Sequence, residues 1–149
     1  MDFKALIQQI GQVYQNLTLK QLNDFCKNCA VAHLGIEFTA QGDDWLEARM
    51  PVDQRTTQPM GLLHGGISAA LAETVASTAG FCCVAENQAV VGVEINANHL
   101  RAVRQGNVYA KATPIRLGKT LQVWQIDIRD EQDKLCCVSR LTLSVIAHD

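Results

Sequence analysis

The stretch Ile67-Ser68-Ala69-Ala70-Leu71-Ala72-Glu73-Thr74-Val75-Ala76-Ser77-Thr78-Ala79-Gly80 constrains the fold more than any other part of this chain. It is apolar and small-residued almost all round, and one acid, Glu73, interrupts it. A helix of this kind, expected from Gly66 to about Val84, has no obvious solvated face and must be covered by other elements. The segments on either side supply the cover. Gly35 to Thr39 and Trp45 to Val52 flank the turn Gln41-Gly42-Asp43-Asp44 as a hairpin, with Leu46, Ala48 and Met50 on one face and Pro51 ending the second strand. After the helix, four strands are expected at Ala89 to Asn98, Gly106 to Pro114, Thr120 to Arg129 and Leu135 to Ile146. In the third, Trp124, Ile126 and Ile128 alternate with Val123, Gln125 and Asp127, and Asp130-Glu131-Gln132-Asp133 turns the chain into the fourth. One buried helix wrapped by an antiparallel sheet is an α+β layer architecture.

The chain up to about Asn28 has helical spacing instead. Leu6, Ile10, Val13 and Leu17 share a stripe, and Thr18 caps a second short helix from Leu19 to Lys27. The 149 residues are expected to form one domain, with residues 1 to about 30 a helical extension beside its core. A net charge of −2 supplies no basic field for a phosphate backbone, so nucleic acid is not the expected partner. No run of apolar residues is long enough to span a bilayer, and the opening residues lack the apolar core of a signal peptide, which gives the expectation of a soluble, cytoplasmic protein. Cys26, Cys29, Cys82, Cys83, Cys136 and Cys137 fit neither a disulfide framework nor a four-ligand zinc site and are read as reduced thiols; no metal and no cofactor is expected.

Chemistry concentrates just before the apolar helix, in Gln58-Pro59-Met60-Gly61-Leu62-Leu63-His64-Gly65-Gly66. Two glycines at a helix start let a carbonyl oxygen approach free backbone N–H groups at the positive end of the dipole, which makes an oxyanion site. The bland alternative is a tight turn with His64 as a cap. Glu73, among alanines at 69, 70 and 76, is a carboxylate whose burial would suit a general base or nucleophile. Ser77, one turn on, could orient a water, and the Gln58 amide could hold a polar group of a ligand. Basic turns at His99-Leu100-Arg101-Ala102, with Arg104 nearby, and at Arg116-Leu117-Gly118-Lys119-Thr120-Leu121 could meet phosphates.

These motifs, together with His33-Leu34-Gly35-Ile36-Glu37-Phe38, Leu46 to Asp53 and Val91 to His99, resemble the hotdog-fold thioesterases, in particular the branch acting on aromatic acyl-CoA thioesters and acyl-carrier conjugates. The resemblance runs from about His33 to the C-terminus. It implies a hotdog fold, Glu73 as the catalytic carboxylate, and Gly65, His64, Gln58 and Ser77 around the thioester. It also implies that Gly92, His99 to Ala102 and Arg116 to Leu121 bind CoA. The implied acyl groups are 1,4-dihydroxy-2-naphthoyl, 4-hydroxybenzoyl, or hydroxybenzoyl stranded on a siderophore carrier protein.

Helix geometry adds a constraint on assembly. His64 and Glu73 are nine residues apart, roughly 13 Å along a helix and on opposite sides of it. They cannot serve one carbonyl within one chain, so the site is expected to be shared across a twofold dimer. The resemblance implies the same, often as a dimer of dimers, a homotetramer. Two decoys are set aside. Gly66-Ile67-Ser68-Ala69-Ala70 only partly mimics a nucleophile elbow, and Cys26-Lys27-Asn28-Cys29 with His33 lacks a second ligand pair. The rival readings are a hotdog hydratase or dehydratase, whose Pro-Gly-containing helix start is missing here, and a non-catalytic acyl-CoA binding protein, which would not need Glu73.

Overall fold

The computed structural model describes residues 16–147. Helix α1, Leu19–Phe25, begins where the sequence expects it because Thr18 closes a capping box. The Thr18 hydroxyl accepts from the Gln21 N–H at 3.2 Å, and Gln21 Oε1 accepts from the Thr18 N–H at 2.8 Å. It stops at Phe25 rather than running to Lys27, with Cys26 as its C-cap. A further four-residue helix, α2, Ala30–His33, was not expected; so short an element carries no periodicity to read. The expected stripe positions Leu6, Ile10 and Val13 lie outside the described residues, while Leu17 packs against the core.

Strands β1, Glu37–Gln41, and β2, Leu46–Pro51, form the expected hairpin, shifted by about two residues at its start. Leu46, Ala48 and Met50 are buried, as their alternation predicts. Helix α3, Gly65–Phe81, follows a loop, and then come β3, Gln88–His99, β4, Asn107–Leu117, β5, Leu121–Arg129, and β6, Leu135–Ala147. The six strands form one antiparallel sheet in the order β1-β2-β4-β5-β6-β3. Strand β4 runs past Pro114 to Leu117 because the proline sits at a register shift, where a missing N–H costs no ladder bond.

Helix α3 lies across one face of this sheet, and its Leu71, Ala72, Val75 and Ala76 meet a core that includes Trp124, Ile126, Ile128, Leu141 and Leu143. Each Leu, Ile or Val among them contributes about 1.5–3 kcal/mol by leaving water. The helix ends at Phe81, not Val84, and it is not buried all round. Glu73, Thr74, Ser77 and Thr78 form a half-buried side. Strand β3 closes one edge of the sheet and is exposed along most of its length, including Val91 and Val93, the latter 63% exposed. No helix among the described residues is long and apolar enough to cross a membrane.

Candidate active site

The loop before α3 is tied to it by backbone bonds. The His64 N–H donates to the Thr56 carbonyl at 2.8 Å and the Leu63 N–H to the Val103 carbonyl at 2.8 Å. Within the loop, Gln58 Oε1 accepts from the N–H groups of Met60 at 2.5 Å and Leu62 at 3.3 Å. With its oxygen so engaged, the Gln58 NH2 is the end left to donate, and it has no partner among the described residues.

A helix start leaves its first N–H groups without intrahelical partners, and here they can be followed one by one. The Ile67 and Ser68 N–H groups both donate to the His64 carbonyl, at 3.0 and 2.9 Å. The Gly66 N–H donates to His64 Nδ1 at 2.9 Å, so His64 is the N-cap through its ring. The capping role weighed in the sequence is therefore real. It also fixes the tautomer, because an accepting Nδ1 leaves Nε2 as the N–H. The Gly65 N–H alone among these donors has no partner among the described residues. Its Cα lies against the His99 ring, and a Cβ at Gly65 would fall 2.9 Å from His99 Nε2. Any larger residue at 65 would require the His99 ring to shift.

His99, Leu100, Arg101 and Ala102 meet the helix start because the N–H groups of Leu100 and Arg101 both donate to the Cys136 carbonyl, at 2.7 and 3.2 Å, turning the chain at the end of β3. A cleft of about 360 Å3 results, lined by Gln58, Gly65, Ser68 and these four residues. Arg101 and Arg104 form no ion pair among the described residues, which leaves both charges available. Leu62, Leu63 and Cys136 also line the cleft, and nothing in their sequence context marks them as site residues.

Glu73 lies two and a half turns further along α3. It is half-buried, less enclosed than its sequence neighbours suggest, and makes neither ion pair nor hydrogen bond among the described residues. Its carboxylate rests on the backbone of Gly92 in β3, where a Cβ would collide with Oε1. Ser77, one turn on, has a hydroxyl free of its own helix, whereas that of Thr74 is spent on the Ala70 carbonyl at 2.7 Å. Ser77 opens into an apolar groove of about 280 Å3 between α1 and the second half of α3.

The remaining expected segment lies elsewhere. Arg116 and Leu117 end β4, Gly118 to Thr120 turn, with the Gly118 N–H on the Leu121 carbonyl at 2.8 Å, and Leu121 opens β5. Leu121 pairs with Ser144, which faces Val91 on its other side, whereas His99 pairs with Cys137. Within one chain, then, the 116–121 turn and the His99 cleft are at opposite ends of the sheet. Another concavity, about 650 Å3 on the far face of the sheet, is lined by charged groups such as Glu47, Lys111 and Arg129. Arg129 there pairs with Asp127 and Asp133 at 3.8 and 3.9 Å. It borders neither the Gly65 N–H nor Glu73.

A helix laid across one face of a six-stranded antiparallel sheet is the hotdog arrangement. Residues 60–137 match the Thioesterase superfamily, and the chain belongs to that family. It is 54% identical to the proofreading thioesterase EntH of Cronobacter turicensis, over 89% of this chain and 96% of the relative. It is 52% identical to the 1,4-dihydroxy-2-naphthoyl-CoA hydrolase of Escherichia coli, over 89% of this chain and 97% of that one. The crystal structure of a thioesterase from Haemophilus influenzae superposes with a TM-score of 0.89 at 64% identity, covering 90% of this chain and 94% of the other. The protein is thus a thioester hydrolase, and the expected α+β hotdog fold is the one found.

Proposed function

We propose that the protein hydrolyses an aromatic acyl thioester of CoA or of an acyl carrier protein, at a site shared between two copies of the chain. The observation that carries this reading is the separation of two complementary groups. The Gly65 N–H lies beside His99 at the end of β3, and the Glu73 carboxylate lies beside Gly92 further back along the same edge strand, both without a partner among the described residues. An edge strand of twelve residues with Val91 and Val93 exposed is a template for another strand. Antiparallel pairing of two β3 strands about a twofold centred near Ile95 sets His99 of one copy opposite residues 91–92 of the other. Glu73 of one copy is then carried toward the Gly65 N–H of its mate. The same operation moves the second copy's 116–121 turn to the His99 end. Arg101, Arg104 and Lys119 can then share the phosphates of a CoA molecule that no one chain could hold. Two such dimers forming a tetramer fit the same reading.

In this mechanism the thioester carbonyl oxygen accepts from the Gly65 N–H, and its developing charge lies on the axis of the α3 dipole. The Gln58 NH2 and the His64 Nε2–H donate toward the thioester. Glu73 from the other copy either attacks the carbonyl carbon, giving an anhydride that water opens, or takes a proton from the attacking water. The tetrahedral species collapses with loss of the thiolate, and the products are a carboxylic acid and a free thiol. The name of one relative, a 1,4-dihydroxy-2-naphthoyl-CoA hydrolase, supports an aromatic acyl group.

Subunit exchange tests the shared site by thiol release from benzoyl-CoA. Glu73→Gln should lose about 10²–10⁴ in kcat, and Gly65→Pro should also be inactive. Mixed dimers of the two variants contain one site with both native groups and should regain up to half of the wild-type rate. Verified mixed dimers that stay inactive would refute the shared site.

A further inference from the structure

The apolar groove beside Ser77 has a wall for which the reaction has no stated use. Phe25, the last residue of α1, is 79% exposed. It lines the groove with Leu22 and Cys26, while Ser77, Thr78 and Phe81 of α3 also line it. A single exposed phenylalanine is ordinary, but the placement of this one is not left to chance. Its helix is fixed at the start by the Thr18 capping box and in the middle by Leu22, which is buried. It is fixed to the sheet by Asn23, whose Nδ2 donates to the Phe38 carbonyl at 3.0 Å and whose Oδ1 accepts from the Phe38 N–H at 2.8 Å. The ring is carried by a rigid support.

The groove also lies next to Glu73 along both elements that carry it. Ser77 lies one helical turn beyond Glu73, and Val90, at the groove's edge, is two residues from Gly92, on whose backbone the Glu73 carboxylate rests. An acyl group whose carbonyl carbon is within reach of Glu73 has this groove as its adjoining apolar space. An occupant there meets two aromatic side chains, Phe25 from α1 and Phe81 from α3, and rings pair best with rings, edge-to-face or offset.

We propose that Phe25 determines specificity, its ring covering an aryl group seated in this groove while Glu73 acts on the adjoining carbonyl. The assignment rests on the reading of Glu73 as the reacting carboxylate. It fixes the occupant as the acyl moiety of the substrate, not a second copy of the chain. A ring that meets the substrate equally before and during reaction acts on binding, so its loss should appear in KM more than in kcat.

The test compares benzoyl-CoA with acetyl-CoA, which has no ring to cover, in wild type, Phe25→Ala and Phe25→Tyr. Phe25→Ala should lower kcat/KM for benzoyl-CoA by about tenfold, mostly through KM, and leave acetyl-CoA unchanged. Phe25→Tyr, which keeps the ring, should retain the wild-type preference. Because Phe25 is exposed, neither change should shift the melting temperature. Equal effects on both substrates, or none on benzoyl-CoA, would overturn the role of Phe25 while leaving thioester hydrolysis standing. A change confined to subunit association would overturn it too and assign the groove to a second copy. Failure of the underlying reading has a separate signature, full turnover by Glu73→Gln, and would remove the basis for placing an acyl group here.

Discussion

The two ends of helix α3 are opposites in how they treat polar groups. At the start, Gly65 keeps an unpartnered N–H, His64 is exposed, and the Gln58 NH2 and the nearby arginines lack protein partners among the described residues. At the other end polar atoms are buried and bonded. Gln122, only 1% exposed, donates to the Gly80 carbonyl at 3.3 Å and accepts from the Trp124 indole at 2.9 Å, and the Cys83 thiol donates to the Ala79 carbonyl at 3.0 Å. Burial pushes the Cys82 thiol up to about 11 and that of Cys83 higher still, so both are protonated core groups at neutral pH. One end has its hydrogen-bonding capacity satisfied from within, and the other leaves it for a ligand. Substitutions at the first should therefore cost stability, and at the second activity.

The largest effect that can break this contrast is expected at Gly65. Proline is well accommodated at the first position of a helix and removes only an N–H, so Gly65→Pro deletes the proposed oxyanion donor while α3 keeps its backbone bonds. Gly65→Ala is the control, because it adds the same Cβ against His99 but keeps the donor. The proline variant is expected to lose about 10²–10³ in kcat beyond the alanine variant. Equal losses would mean that the close approach to His99, and not the N–H, is what this position supplies.

At the closed end, Gln122→Ala removes a buried amide with both of its bonds and leaves a cavity. The expected cost is about 2–3 kcal/mol of stability, or about 5–10 °C in Tm for a chain of this size. kcat/KM of the folded protein should stay at the wild-type value. A variant that melts normally but turns over slowly would show that the two ends are coupled through the helix.

How far the sequence reveals these two ends differs for a physical reason. Gly65, His64 and Glu73 are legible because each breaks a local pattern: glycines where a helix begins, a lone acid among alanines. The hairpin and the alternation of Trp124, Ile126 and Ile128 are legible because period-two burial leaves a direct trace. The half-exposed side of α3 is not, since Thr74, Ser77 and Thr78 are small enough to pass for buried residues. The Phe25 groove is invisible for another reason: it joins residues 22–26 to 77–81 and 90, a meeting set by the Asn23–Phe38 bonds and not by any spacing. The run of β4 through Pro114 is hidden likewise, because whether a proline ends a strand depends on its place in the ladder.

The smallest expected effect separates the two roles of His64, which belongs to the open end but also does structural work there. Its Nδ1 holds the Gly66 N–H, and its Nε2–H faces outward as a proposed thioester donor. Loss of an N-cap costs about 1 kcal/mol, and loss of one neutral hydrogen bond to substrate costs a rate factor of about ten. His64→Ala should show both. His64→Asn separates them, since asparagine is among the best N-caps but cannot place a donor where the imidazole Nε2 lies. Its melting temperature should return to that of the wild type while kcat/KM for benzoyl-CoA stays about tenfold low. Recovery of both by asparagine would make His64 a cap alone, and the thioester would then be held by Gln58 and the Gly65 N–H without help from the imidazole.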